Sequence, residues 1–229
     1  MDAKIIKVIQ QTPDVKTFRF KLEKPLDFTP GQFIIITLEI DGVLERRAYS
    51  IASSPTQKEY VEFTIRKIPH GKVSPIIFEM KEGDTFKVRG PFGHFHFDES
   101  IKKLCFVVGG TGITPIISML RYVVDKKLDN NIIVLYGSRS PDEILYREEL
   151  QRIHDNNANI HIAFTVDHWK EGWQWHTGFI DWNFILEQVP DFIERTYYMC
   201  GPQAMINHVT HDLEVHGVHH SKIRLDHWG

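Results

Sequence analysis

The hydrophobic pattern of this chain changes period once, near residue 100, and that change limits what the two halves can become. Before it, Phe18-Arg19-Phe20-Lys21-Leu22 and Val61-Glu62-Phe63-Thr64-Ile65 alternate apolar and polar side chains, the spacing of strands with one buried face. Residues 32–40 are rich in β-branched side chains, and residues 1–6 read as a first strand rather than a secretory leader. Turn signals punctuate the half at Lys24-Pro25, Thr29-Pro30-Gly31, Asp41-Gly42, Ser54-Pro55, Glu82-Gly83-Asp84 and Gly90-Pro91. Short strands so spaced predict a small antiparallel β-barrel over residues 1–99. Beyond residue 100, apolar runs at 104–108, 131–136, 160–166 and 196–199 alternate with helix-spaced segments. Those segments are the one carrying Ile116, Ile117, Leu120, Val123 and Val124, and residues 143–153, 182–189 and 204–216; residues 222–228 close as a strand. This order predicts a Rossmann-like α/β domain with a parallel sheet over residues 100–229.

The junction between the first apolar run and its helix is Gly109-Gly110-Thr111-Gly112. Glycine lets a backbone approach an anion, and a following helix start offers free N–H donors and a partial positive charge. Pro115 suits a first helical turn, and Thr111 or Thr114 adds a hydroxyl. No Lys-Ser or Lys-Thr follows the glycines, so this is not a triphosphate loop, and the full dinucleotide fingerprint is also missing. Other function classes are excluded by composition. A net charge of −3 gives no reason to expect nucleic acid, and no run of about 18 apolar residues suggests a membrane span. Two cysteines, Cys105 and Cys200, are too few for a disulfide framework or a four-thiolate cluster, which points to a reducing cytoplasm. The thirteen histidines lack companion ligands at metal spacing, so no metal is expected.

The remaining motifs form an ordered series. Pro30-Gly31-Gln32-Phe33 precedes Arg47-Ala48-Tyr49-Ser50, then come Gly71-Lys72-Val73-Ser74, Gly90-Pro91-Phe92-Gly93, Gly109 to Pro115, Tyr136-Gly137-Ser138-Arg139 and Cys200-Gly201-Pro202. The series resembles the ferredoxin–NAD(P) reductase superfamily over essentially the whole chain. The resemblance implies an FAD-binding β-barrel followed by a nicotinamide-nucleotide domain. It matches Arg47 to the arginine that pairs with the FAD pyrophosphate, where a planar guanidinium engages two oxygens. Tyr49 matches the aromatic residue packed on the flavin, and Ser50 the hydroxyl facing the flavin N5 edge. Gly71, Lys72, Val73 and Ser74 match the pyrophosphate loop, while Ile65 and Arg66 match the strand that offers backbone contacts. Gly110, Thr111, Gly112, Thr114, Ser138 and Arg139 are implied to hold the nicotinamide nucleotide, with Gly201 and Pro202 beside it. Cys200 matches the residue that aligns nicotinamide and flavin by position rather than by covalent attack.

At the end of the chain Asp226 stands where the family has glutamate, and Trp228 either covers the flavin face or closes the sheet. The implied catalytic set is therefore Ser50, Cys200 and Asp226. Thr165-Val166-Asp167 lacks the serine–arginine pair of NADPH-using members, and its acid favours NADH, although Arg139 and Tyr146 remain available to a 2′-phosphate. The resulting expectation is a cytoplasmic NAD(P)H-dependent flavoprotein oxidoreductase. It would pass electrons from bound FAD to a separate ferredoxin or oxygenase component. A reductase of free FMN or FAD, and a non-catalytic flavin-binding subunit, are the alternatives.

Overall fold

The computed structural model describes residues 1–226 and divides into two compact units. The first combines Met1–Phe97 with Thr114–Asp125; the second combines Asp98–Ile113 with the residues from Lys126 onward.

In the first unit, β1 (Asp2–Thr12), β2 (Val15–Leu22), β3 (Phe33–Ile40), β4 (Val43–Ser50), β5 (Val61–Arg66) and β6 (Thr85–Phe92) form one antiparallel sheet. Its order is β4-β3-β6-β1-β2-β5. A bridge between Ile51, just past β4, and Phe63 of β5 joins the two ends of that order, as a barrel requires. The Asp41-Gly42 turn is a two-residue hairpin with Ile40 opposite Val43. Both turn residues have positive φ, +52° and +76°, the type I′ geometry whose twist suits strands and which Asp-Gly tolerates. The alternation seen in sequence fills the interior with Phe18, Phe20, Ile34, Ile36, Phe63 and Phe86. Phe18 stacks on Phe63 at 5.3 Å, and each such side chain contributes about 1.5–3 kcal/mol through burial.

Two helices accompany this sheet, α1 (Ser74–Glu79) and α2 (Ile113–Lys126). The helix expected from Ile116 to Val124 forms as α2, but residues 114–125 of it pack with the first unit. The Ser118 hydroxyl donates to the Ser53 carbonyl at 2.7 Å. Arg121 donates to the Ala52 carbonyl at 2.8 Å and pairs with Glu62 at 2.7 Å. Period-2 reading puts Glu62 on the solvent face of β5; here its side chain is only 3% exposed, held between Arg121 and Arg19.

In the second unit, β7 (Lys103–Gly109), β8 (Asn131–Ser138), β9 (Ile160–Val166), β10 (His176–Thr177), β11 (Thr196–Cys200) and β12 (Ile223–Asp226) form a parallel sheet of order β10-β9-β8-β7-β11-β12. The helices are α3 (Arg147–Asn156), α4 (Trp182–Gln188) and α5 (Gln203–Val215). The Asp181 carboxylate caps α4 by accepting from the Phe184 N–H at 2.9 Å. The helix expected over 143–153 starts later, because residues 141–143 make a 3₁₀ turn and Tyr146 takes a left-handed φ of +56°. The closing strand expected over 222–228 is observed over 223–226, its last two positions lying outside the described residues. Among the histidines, His216 stacks on Trp182 at 3.6 Å and His154 meets His161 edge-on at 5.2 Å. Among the described residues no group of three or more His, Cys, Asp or Glu is placed to hold a metal. No helix among them is long and apolar enough to cross a membrane.

Candidate functional site

The parallel sheet reverses its strand order between β7 and β11: β8, β9 and β10 extend to one side of β7, and β11 and β12 to the other. The carboxyl ends of the strands beside such a reversal are the usual ligand position in open α/β sheets. The loop after β7 is Gly110-Thr111-Gly112, and β11 ends at Cys200 before Gly201-Pro202. These two backbones touch. A Cβ on Gly112 would lie 2.1 Å from the Cys200 carbonyl oxygen, and one on Gly201, whose φ is +157°, 2.8 Å from the Gly109 nitrogen. Steric contact between the loops therefore accounts for Gly112 and Gly201. Gly110 differs: its φ is +53° and nothing lies within 4 Å of its absent side chain, so the turn keeps an open surface there. Thr111 is half-buried, and Thr114 is buried in a helix segment that belongs to the first unit.

Cys200 stands opposite Asp226 in the β11–β12 register, and its thiol donates to the Asp226 Oδ2 at 3.8 Å. The two catalytic candidates of this unit are thus brought together from 26 residues apart. Ser138 and Arg139 lie at the carboxyl end of β8. Their carbonyls accept from the N–H groups of Asp167 at 3.1 Å and His168 at 2.8 Å, which gathers Asp167 to the same end. Burial raises the Asp167 carboxyl above its ordinary value, against the pull of His168 and Arg139. Trp228 lies outside the described residues.

In the first unit, Arg47, Tyr49 and Ser50 all sit at the end of β4, opposite Ile36, Ile34 and Phe33 of β3. Tyr49 is half-buried and lies 5.4 Å from the Phe63 ring; burial pushes its phenol up to about 12. Ser50 is buried. Ile65 and Val73 bury their side chains in the core, so only their main chain can meet a ligand. Arg66 pairs with Asp14 at 3.1 Å. In the loop before α1, the Ser74 oxygen accepts from the Ile68 N–H at 3.0 Å. A Cβ on Gly71 would press on that same oxygen, and on the Ile68 carbonyl, at 3.0 Å, so a side chain there would require both to give by a few tenths of an ångström.

Sequence reasoning missed Glu45. Its carboxylate accepts from Lys72 through one oxygen and from Arg47 through the other, at 3.3 Å to Arg47. The signal was available, since an acid two positions before an arginine on a strand shares its face. This carboxylate is a stand-in anion. Arg47 and Lys72 thus converge on one negative group.

A model described as an oxidoreductase FAD-binding domain matches residues 2–97, and one described as an oxidoreductase NAD-binding domain matches residues 106–211. NADH-cytochrome b5 reductase 3 of Mus musculus is 30% identical over 85% of this chain and 75% of that protein. The chain belongs to the ferredoxin–NAD(P) reductase superfamily. Among other superfamily relatives, the glycine betaine monooxygenase reductase subunit of Pseudomonas aeruginosa is 36% identical over 98% of this chain. The chain spans 63% of that relative's length. The crystal structure of the cytochrome b5 reductase domain of Ulva prolifera nitrate reductase superposes with a TM-score of 0.88, at 25% identity, over 98% of this chain and 96% of that one. The antiparallel sheet followed by a parallel one is the superfamily's fold.

Proposed function

We propose that this chain is an NAD(P)H-dependent, FAD-containing reductase that passes electrons to a separate redox protein, an oxygenase component or a ferredoxin. The observation that carries the reading is Cys200 at the strand-order reversal, with Asp226 in register beside it. A buried thiol held by a carboxylate at a nucleotide crevice suits positioning rather than nucleophilic attack. The P. aeruginosa relative, a reductase subunit of a monooxygenase, supports the oxygenase partner. FAD, when bound, supplies the conversion between two-electron and one-electron transfer.

The chain's own residues divide the work. Residues 1–99 form the FAD-binding domain, where Arg47 and Lys72 neutralise the diphosphate. Tyr49 packs on the ring system, Ser50 offers a hydroxyl to its reactive edge, and Gly71 to Ser74, Ile65 and Arg66 supply loop and strand contacts. Residues 100–229 form the nicotinamide-nucleotide domain. Gly110 to Gly112, Thr114, Ser138, Arg139, Gly201 and Pro202 border the nucleotide, and Cys200 with Asp226 orients the reacting ring. Trp228 belongs to this set by its position in the sequence. Asp167 accepts from a ribose hydroxyl and repels a 2′-phosphate, which makes NADH the preferred donor. Two buried thiols, Cys105 and Cys200, suit a reducing cytoplasm.

Anaerobic titration of the purified chain tests this reading. NADH should bleach the flavin absorbance at concentrations at least about ten-fold below NADPH, because like charges juxtaposed in a site are costly. Added oxygenase or ferredoxin component should then restore the colour. A flavin that NADH and NADPH both leave oxidised rejects the proposal. A second reading, reduction of freely exchanging flavin, is favoured by one observation: Glu45 already engages the two cations that a retained FAD needs.

A further inference from the structure

The three charged groups, Glu45 and Arg47 of β4 and Lys72 of the loop before α1, differ in how they are covered. Glu45 has a side-chain exposure of 16%, whereas Arg47 and Lys72 are 47% and 53% exposed. The carboxylate is therefore more covered than either cation that it holds. Arg47 also curls back along its own strand. One and the same guanidinium nitrogen, Nη1, donates to the Arg46 carbonyl at 2.7 Å and to Glu45 at 3.3 Å. Lys72, from the loop before α1, reaches across to the other Glu45 oxygen. Each carboxylate oxygen is thus matched to one cation, the arrangement by which two cations grip two oxygens of a diphosphate.

We propose that Glu45 is an internal competitor for the flavin diphosphate: it occupies Arg47 and Lys72, must be displaced from them for FAD to bind, and so sets how readily FAD leaves the protein. The inference rests on the reading of this unit as the FAD site. Its physical basis is the exclusivity of the contacts. Arg47 cannot curl onto Glu45 and at the same time extend both arms of its fork to a ligand. A carboxylate left within reach of a bound diphosphate is a like charge beside it, which lowers affinity further. The Glu45 carboxyl is held below its ordinary value, chiefly by the Lys72 hydrogen bond, so it stays charged and keeps competing at neutral pH.

The competition acts on the diphosphate alone, and that gives the test its selectivity. Glu45→Gln keeps the shape and removes the charge. Apoprotein of the full chain and of the variant should be titrated with FAD and with riboflavin, which lacks phosphate, by quenching of flavin fluorescence. The variant should bind FAD about five-fold more tightly, the scale of two exposed ion pairs released, and bind riboflavin unchanged. FAD should also wash out of the variant more slowly on gel filtration. Equal or weaker FAD binding by the variant overturns the proposal and makes Glu45 an aid to Arg47, while the FAD reading stands. An equal gain for FAD and riboflavin also overturns it, since the effect would not act through the diphosphate. If neither protein binds FAD, the FAD reading falls and this inference with it.

Discussion

Cys200 is 1% exposed, with its thiol 3.8 Å from the Asp226 carboxylate, so its surroundings leave it little room to do anything but hold position. A thiol donating to a carboxylate is fixed in rotation, and a ring packed against it inherits that fixity. Cys200→Ala should therefore slow flavin reduction by NADH by about 10²-fold, the cost of a small misplacement of reacting groups. NADH affinity should change far less. Stopped-flow reduction at saturating and limiting NADH separates the two; a loss confined to limiting NADH would make Cys200 a binding residue. At this scale the site candidates came from motif order, because Arg47, Tyr49, Ser50 and Cys200 each belong to a short ordered string. Glu45 was not. Its meaning depends on Lys72, 27 residues away, and only the loop before α1 brings that ammonium to it.

Among the elements, α2 is the least expected in its placement. Its pattern belongs to the alternating strand–helix half, yet Ser118 and Arg121 bind the Ala52–Ser53 backbone and Glu62 of the first unit. Arg19, Glu62 and Arg121 form a triad in which both Glu62 oxygens are taken. Removing one partner of a buried pair costs about 3–5 kcal/mol because the other charge is stranded. Arg19 and Arg121 retain 27% and 20% exposure, so water screens part of the loss. Glu62→Gln should accordingly lower stability by about 2–3 kcal/mol, measured by urea denaturation. Arg121→Leu should be sub-additive with it in a double-mutant cycle, and full additivity would show that the triad does not act as one unit.

For the molecule as a whole, burial sets an alkaline limit. Cys105 is pushed up to about 12 by burial from an ordinary 9.0, and Tyr49 to about 12 from 10.0. Burial also raises Tyr197 and Tyr198. Each group keeps its proton in the fold where the unfolded chain has lost it, so the folded state binds more protons in that range and stability falls as pH rises. The contribution is fully present below about pH 9 for the thiol and about pH 10 for the phenols, and is lost as pH climbs through about 12. Urea midpoints should be level from about pH 7 to about pH 9 and then decline, with Cys105→Ala removing the earliest part of the decline. A midpoint unchanged to about pH 11 would contradict this.

The sequence by itself determined the two halves, their strand patterns, most helices and the order of the cofactor motifs. These are properties of near neighbours in the chain: side-chain period, turn residues such as Asp41-Gly42, and glycines after a buried run. Tertiary structure alone decided the side of the sheet on which β11 falls, and hence where the strand order reverses. It also decided that Glu62 is buried under α2 and that Glu45 meets Lys72. The physical reason is common to all three. Strand order and charge pairing are fixed by contacts between residues distant in sequence, and no local periodicity encodes which distant partner a face or a carboxylate will meet.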